Sequence, residues 1–123
     1  MNEFSKQRKV TITIGIGQTK NDTRLTEEQL TNALNSVGML VIDAGYPGYQ
    51  LHNHAGGWLH GTKIIVEQCI SVVIVTETLD LNCTRKTLKE LAAKLCDLFE
   101  QTCVAVEIAD VNFALVTGEE KAA

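Results

Sequence analysis

The chain is short of the features that would assign it quickly. It has one proline in 123 residues, no Cys-x-x-Cys pair, aromatic residues at only 5%, and no surplus of positive charge. So little proline, with nine glycines, excludes collagen-like and low-complexity readings. Eleven basic against fifteen acidic residues give a net charge of −4, which argues against nucleic acid or an anionic membrane as the main partner. A cationic small molecule would meet no global repulsion. No apolar stretch approaches the length of a membrane span. Met1 to Lys9 is polar and no apolar h-region follows, so no signal peptide is expected. Four cysteines at 69, 83, 96 and 103 lie mostly in apolar segments and read as reduced thiols, with the cytoplasm as the expected compartment.

What is present is the patterning of one small α+β domain. Lys9 to Gly15 alternates strictly, putting Val10, Ile12 and Ile14 on one face of a strand. Thr26-Glu27-Glu28-Gln29 is a capping box, and Leu30, Ala33, Leu34 and Val37 form the stripe of a helix ending at Gly38. Met39 to Ala44 reads as a second strand and Cys69 to Thr76 as a third. Thr84 is the expected cap of a helix over 85–101, with Leu88, Leu91, Ala92, Leu95 and Phe99 on one side. Cys103 to Ile108 and Asn112 to Thr117 read as two strands around Ala109-Asp110. The order predicts a single ferredoxin-like domain over 1–123, an antiparallel sheet with two helices on one face, and flexible tails at 1–8 and 118–123. Val73 and Val75 oppose Val72 and Ile74, so both faces are expected to be apolar and the open one to meet another copy.

The segment from Tyr46 to Gly61 concentrates unusual chemistry: the one proline, the one tryptophan (Trp58), both tyrosines (Tyr46 and Tyr49) and all three histidines. His52, His54 and His60 do not follow a familiar zinc spacing, and solvated or substrate-contacting histidines are the preferred reading over a metal cluster. Gly15-Ile16-Gly17 lacks the Gly-Lys-Ser/Thr of a phosphate loop and reads as a glycine turn. His54 and Cys69 are candidates for a thiol–imidazole pair. Glu67, set between Ile64-Ile65-Val66 and Cys69-Ile70, is either a strand-entrance carboxylate with its head in water or an anchor in a semi-buried site. Trp58, between Gly57 and Leu59, is either a core plug or a ligand platform.

Leu95 to Val106, with its Glu100-Gln101-Thr102-Cys103-Val104 step, followed by Phe113 to Gly118, resembles the phage S-adenosylmethionine lyases. A fainter likeness runs through Gly57-Trp58 and Glu67 to Ile74. The resemblance implies cleavage of S-adenosylmethionine to methylthioadenosine and homoserine lactone, which would deplete a host cell's methyl donor. It implies a PII-like trimer with the substrate between subunits, no cofactor and no metal. It places the family's essential glutamate on Glu67, beside Gln68, where the carboxylate would pair with the substrate ammonium. The family's active-site tyrosine falls near Trp58, a departure that leaves its hydroxyl to Tyr46, Tyr49 or His54. The chemistry needs few side chains: the substrate's carboxylate attacks its own γ-carbon and a neutral thioether leaves, so no general acid is required. The rivals are a non-catalytic PII-like module binding an adenine nucleotide or other metabolite, and a pure protein-interaction module.

Overall fold

The computed structural model describes residues 3–77 and 81–118, without the side chains of residues 58, 60 and 81–84. Alternation along the first strand continues upstream of Lys9, so β1 runs Ser5–Gly15 and residues 5–8, expected as tail, pair with β4 through Ser5↔Phe113 and Arg8↔Asp110. The Arg8 guanidinium lies 3.4 Å from the Asp110 carboxylate on that pairing.

Helix α1 spans Glu27–Asp43 behind the expected capping box: Gln29 N–H donates to Thr26 Oγ1 at 3.1 Å, and Thr26 N–H to Gln29 Oε1 at 2.9 Å. It does not stop at Gly38. The stripe Ala33, Val37, Val41 continues at helical spacing, so the expected strand over 39–44 is corrected to the last turns of α1. Gly38 lies inside the helix with Tyr49 packed on it; a Cβ there would meet the Tyr49 hydroxyl at 2.7 Å.

The second strand is instead β2, Gln50–His60, followed by β3, Lys63–Glu77. They form a long hairpin in register from Gln50↔Val73 to His60↔Lys63, and Gly61 at φ 64° supplies its tight turn. Helix α2 spans Leu81–Leu98, which puts Thr84 inside the helix and not at its cap. A single strand β4, Ala105–Phe113, replaces the two expected strands and passes straight through Ala109-Asp110. Residue 118 lies outside any element, and 119–123 lie outside the described residues.

The sheet order is β2-β3-β1-β4, antiparallel throughout. This is the ferredoxin-like order, β-α-β-β-α-β in sequence. Val10, Ile12 and Ile14 sit beside Ile74, Val72 and Ile70 on the face that meets α1 (Ala33, Val37, Val41) and α2 (Leu88, Leu91, Leu95), with Phe99 closing the core. The opposite face is more polar than expected. Val73 lies between Thr11 and Gln50, and its neighbours on that face include Thr13, Ser71 and His54. Among the described residues, no helix is long and apolar enough to cross a membrane.

Candidate active site

β1 covers β3 only from Cys69 to Glu77, so the hairpin arm 55–68 extends past the end of β1. Glu67 stands where the arm leaves the sheet, opposite Gly56 in β2 and against the β1–α1 loop. Its carboxylate accepts a hydrogen bond from the Gly17 N–H at 3.3 Å. A Cβ on Gly15 would collide with the Glu67 carboxylate, and one on Gly17 would meet Glu67 Cγ at 2.7 Å. Neither glycine has a positive φ. The Gly-x-Gly pair is therefore neither a phosphate loop nor a strained turn; it makes room for a carboxylate.

The loop that offers the Gly17 amide is fixed at several points. Ile16 N–H donates to Gln68 O at 2.9 Å, Lys20 N–H to Glu100 O at 2.7 Å, and Gln101 Nε2 to Gln18 O at 2.7 Å. Thr19, buried, bonds Thr23 Oγ1 at 2.7 Å and accepts from the Asn21 and Thr23 amides. Glu100 takes a left-handed conformation at φ 53° as α2 ends, which turns the chain to present Gln101.

Glu67 separates two clefts. The first, about 470 Å³, lies under the β1–α1 loop and includes Gly17, Gln18, Arg24, Leu25, Val66 and Gln68. The second, about 510 Å³, lies on the open face and is lined by Thr13, Gly15, His54, Cys69, Gln101 and Ala105 among others. His54 and Thr13 of the second cleft are joined through the buried Ser71: His54 Nε2 and Ser71 Oγ share a hydrogen bond of 2.7 Å, and Ser71 Oγ and Thr13 Oγ1 one of 3.2 Å, linking three strands. Both clefts have the volume of small-molecule sites but are open on the single chain.

The sequence candidates divide accordingly. Glu67 and Gln68 line the first cleft, and Glu67 and His54 the second. Trp58 pairs with Ile65 in the arm, and its side chain lies outside the description. Tyr46 was expected at the substrate, but it is a core residue with 6% exposure that lines neither cleft. Burial raises its phenol pKa above the ordinary value. Tyr49 lines neither cleft and instead caps Gly38. His54 and Cys69 face each other across β2 and β3, yet form no thiol–imidazole pair. The imidazole bonds Ser71, and the thiol donates to Glu67 O at 3.6 Å. Burial first, and the Glu67 charge second, raise the Cys69 pKa, the reverse of an activated nucleophile. His52 bonds Gln50 at 3.1 Å, and no metal-binding cluster of three occurs among the described residues. Sequence reasoning missed Arg24, Gly15, Gly17 and Gln101. Only the glycine pair carried a signal, and its meaning depends on a residue fifty positions away.

No family model matches the sequence, and no curated protein matches it. Solved structures do. A phage SAM lyase in complex with S-methyl-5'-thioadenosine superposes with a TM-score of 0.61 at 15% identity, over 89% of this chain and 90% of that one. A phage SAM lyase in its apo state gives 0.58 at 14% identity, over 96% and 94%. The GlnK–ATP complex of B. subtilis gives 0.53 at 11% identity, over 86% and 82%. At these identities the likeness establishes the fold alone: this chain has the ferredoxin-like, PII-like architecture that the phage SAM lyase structures and GlnK share.

Proposed function

We propose that the protein is an S-adenosylmethionine lyase that forms methylthioadenosine and homoserine lactone. The observation that carries this reading is Glu67: a half-buried carboxylate seated by two glycines, oriented by the Gly17 amide, and set between two clefts on a fold shared with a phage SAM lyase. Its charge suits a substrate ammonium or the neighbouring sulfonium. In this arrangement the methionine end occupies the first cleft and the nucleoside end the second, where His54 and Thr13 offer hydrogen bonds to ribose hydroxyls. Gln68 adds to the substrate contacts, Trp58 is the aromatic candidate by its position in β2, and Tyr49 stands farther off beside α1.

The reaction asks for conformation more than for acid–base catalysis. A carboxylate oxygen of the substrate attacks its γ-carbon, the carbon–sulfur bond breaks, and sulfur takes the electron pair as a neutral thioether. Holding the chain bent and excluding water supplies the rate. Both clefts are open on one chain, so the site is completed by a second copy in a cytoplasmic homo-oligomer, which we take to be a trimer. The exposed arm supports this: Leu59, Ile64 and Val66 are 69%, 75% and 71% accessible, with Leu59 directly opposite Ile64.

The test is to incubate the protein with S-adenosylmethionine and follow methylthioadenosine and lactone. Product from the wild type and none from Glu67→Gln supports the reading. Binding without product favours a metabolite-binding PII-like module, for which the likeness to GlnK–ATP speaks.

A further inference from the structure

The first cleft carries two opposite charges that do not neutralise each other. Glu67 and Arg24 both line it, yet among the described residues Arg24 forms no ion pair, and the Glu67 carboxylate is held by the Gly17 amide. Direct pairing would bring an Arg24 nitrogen within hydrogen-bond range of the Glu67 carboxylate. An anion and a cation facing one cleft without touching leave room for a ligand that bears both charges. Resting on the lyase reading, we infer that this cleft is a subsite for a zwitterionic α-amino acid group, in which Glu67 takes the ammonium and Arg24 the carboxylate.

Such a group needs partners that stand apart and do not pair directly. Ammonium and carboxylate sit on one carbon, so two charge-assisted contacts to them span roughly 8 Å end to end, farther than a direct ion pair. Arg24 lies in the segment that leads from the pinned β1–α1 loop into the capping box of α1, so its backbone is anchored on both sides. Leu25, Leu30, Ile65 and Val66 give the same cleft an apolar wall for the methylene chain. Gln18 and Gln68 are further polar residues that line it.

The charge on the substrate carboxylate sets the sign of the kinetic effect. In the proposed reaction the attacking carboxylate loses charge as it bonds to the γ-carbon, so Arg24 holds the ground state more strongly than the transition state. Arg24 is thus a specificity residue: its loss falls on KM more than on kcat.

Equilibrium binding separates the subsite from the chemistry. S-adenosylhomocysteine carries the amino acid group but no sulfonium, so its sulfur is no leaving group; decarboxylated S-adenosylhomocysteine lacks only the carboxylate. By calorimetry the wild-type chain should bind the first roughly tenfold more tightly than the second, as one charge-assisted contact implies. Arg24→Gln should bring the two affinities within about twofold by weakening only the first, and Arg24→Lys should restore part of the difference. Arg24 is exposed, so coincident melting curves will show the variants folded. Equal affinities in the wild type, a preference that survives Arg24→Gln, or binding of neither ligand overturns the subsite. A wild type that shows the preference but makes no methylthioadenosine from S-adenosylmethionine overturns the lyase reading and leaves the subsite standing.

Discussion

The helix-covered middle of the sheet and the end that projects past β1 follow different rules. In the middle, Ile12, Val72 and Leu95 are fully buried, and side-chain volume decides what fits. At the projecting end Leu59, Ile64 and Val66 face solvent, and the tight contacts are backbone against a carboxylate at Gly15 and Gly17. Stability is concentrated in the first region, and the candidate site lies in the second. The largest test of that division is a pair of substitutions. Phe99→Ala should cost about 3–5 kcal/mol in a urea unfolding series, because it empties the end of the core. Ile64→Asp should alter monomer stability by under about 0.5 kcal/mol. It should shift sedimentation toward the monomer if the arm is where copies meet. A large loss of monomer stability in Ile64→Asp would erase the distinction.

The next test concerns the glycines. Gly17→Ala places a Cβ against Glu67 Cγ, so it should destabilise by about 1–3 kcal/mol. Glu67→Ala removes that atom, and Gly17→Ala in the Glu67→Ala background should be nearly neutral. A double-mutant cycle should therefore return a coupling of about 1–3 kcal/mol. Additivity would mean that Gly17 serves the loop and not the carboxylate.

The same division explains what could be read from the residues alone. The core was legible because Val10, Ile12, Ile14 and the α2 stripe repeat at the periods of their elements. The ferredoxin-like order was right, although its second strand was misplaced. Met39–Ala44 is apolar enough for either a strand or a helix, and Val41 decides for the helix only through its packing below Val37. β2 was hidden because it is an edge strand carrying His52, Asn53 and His54, which have no apolar alternation. Glu67 was legible as a carboxylate in apolar surroundings. Its surroundings were not, because Gly17, its hydrogen-bond partner, and the cleft residues Arg24 and Gln101 come beside it only through the β1–α1 loop and the end of α2. Tyr46 misled because a tyrosine beside histidines and glycines resembles a binding loop, whereas its ring fills the core behind α1.

A smaller effect probes the helix that leads out of the site loop. Thr26→Ala removes one side of the capping box and should cost about 1 kcal/mol. Because α1 belongs to the core region, the loss should appear in the global unfolding midpoint and not in local exchange of the Gly17 amide alone. Amide exchange that speeds only around residues 16–23 would move the start of α1 into the projecting region.

The smallest effect lies at the junction, where Cys69 is buried behind Glu67. Burial raises the pKa of Cys69 and of Cys96, and Glu67 adds to the rise at Cys69. Each thiol therefore keeps its proton in the folded chain at a pH where the unfolded chain has begun to release it. The folded state binds more protons, so stability should fall as pH rises above the ordinary thiol range, roughly 8.5, and should be insensitive to these groups below it. Urea midpoints measured from pH 7 to 10 should decline more steeply for the wild type than for Cys69→Ser. Glu67→Gln should fall between them, since it removes the charge contribution and leaves the burial. Equal slopes in all three would place the thiol in water, and the boundary between core and site would then run on the other side of Cys69.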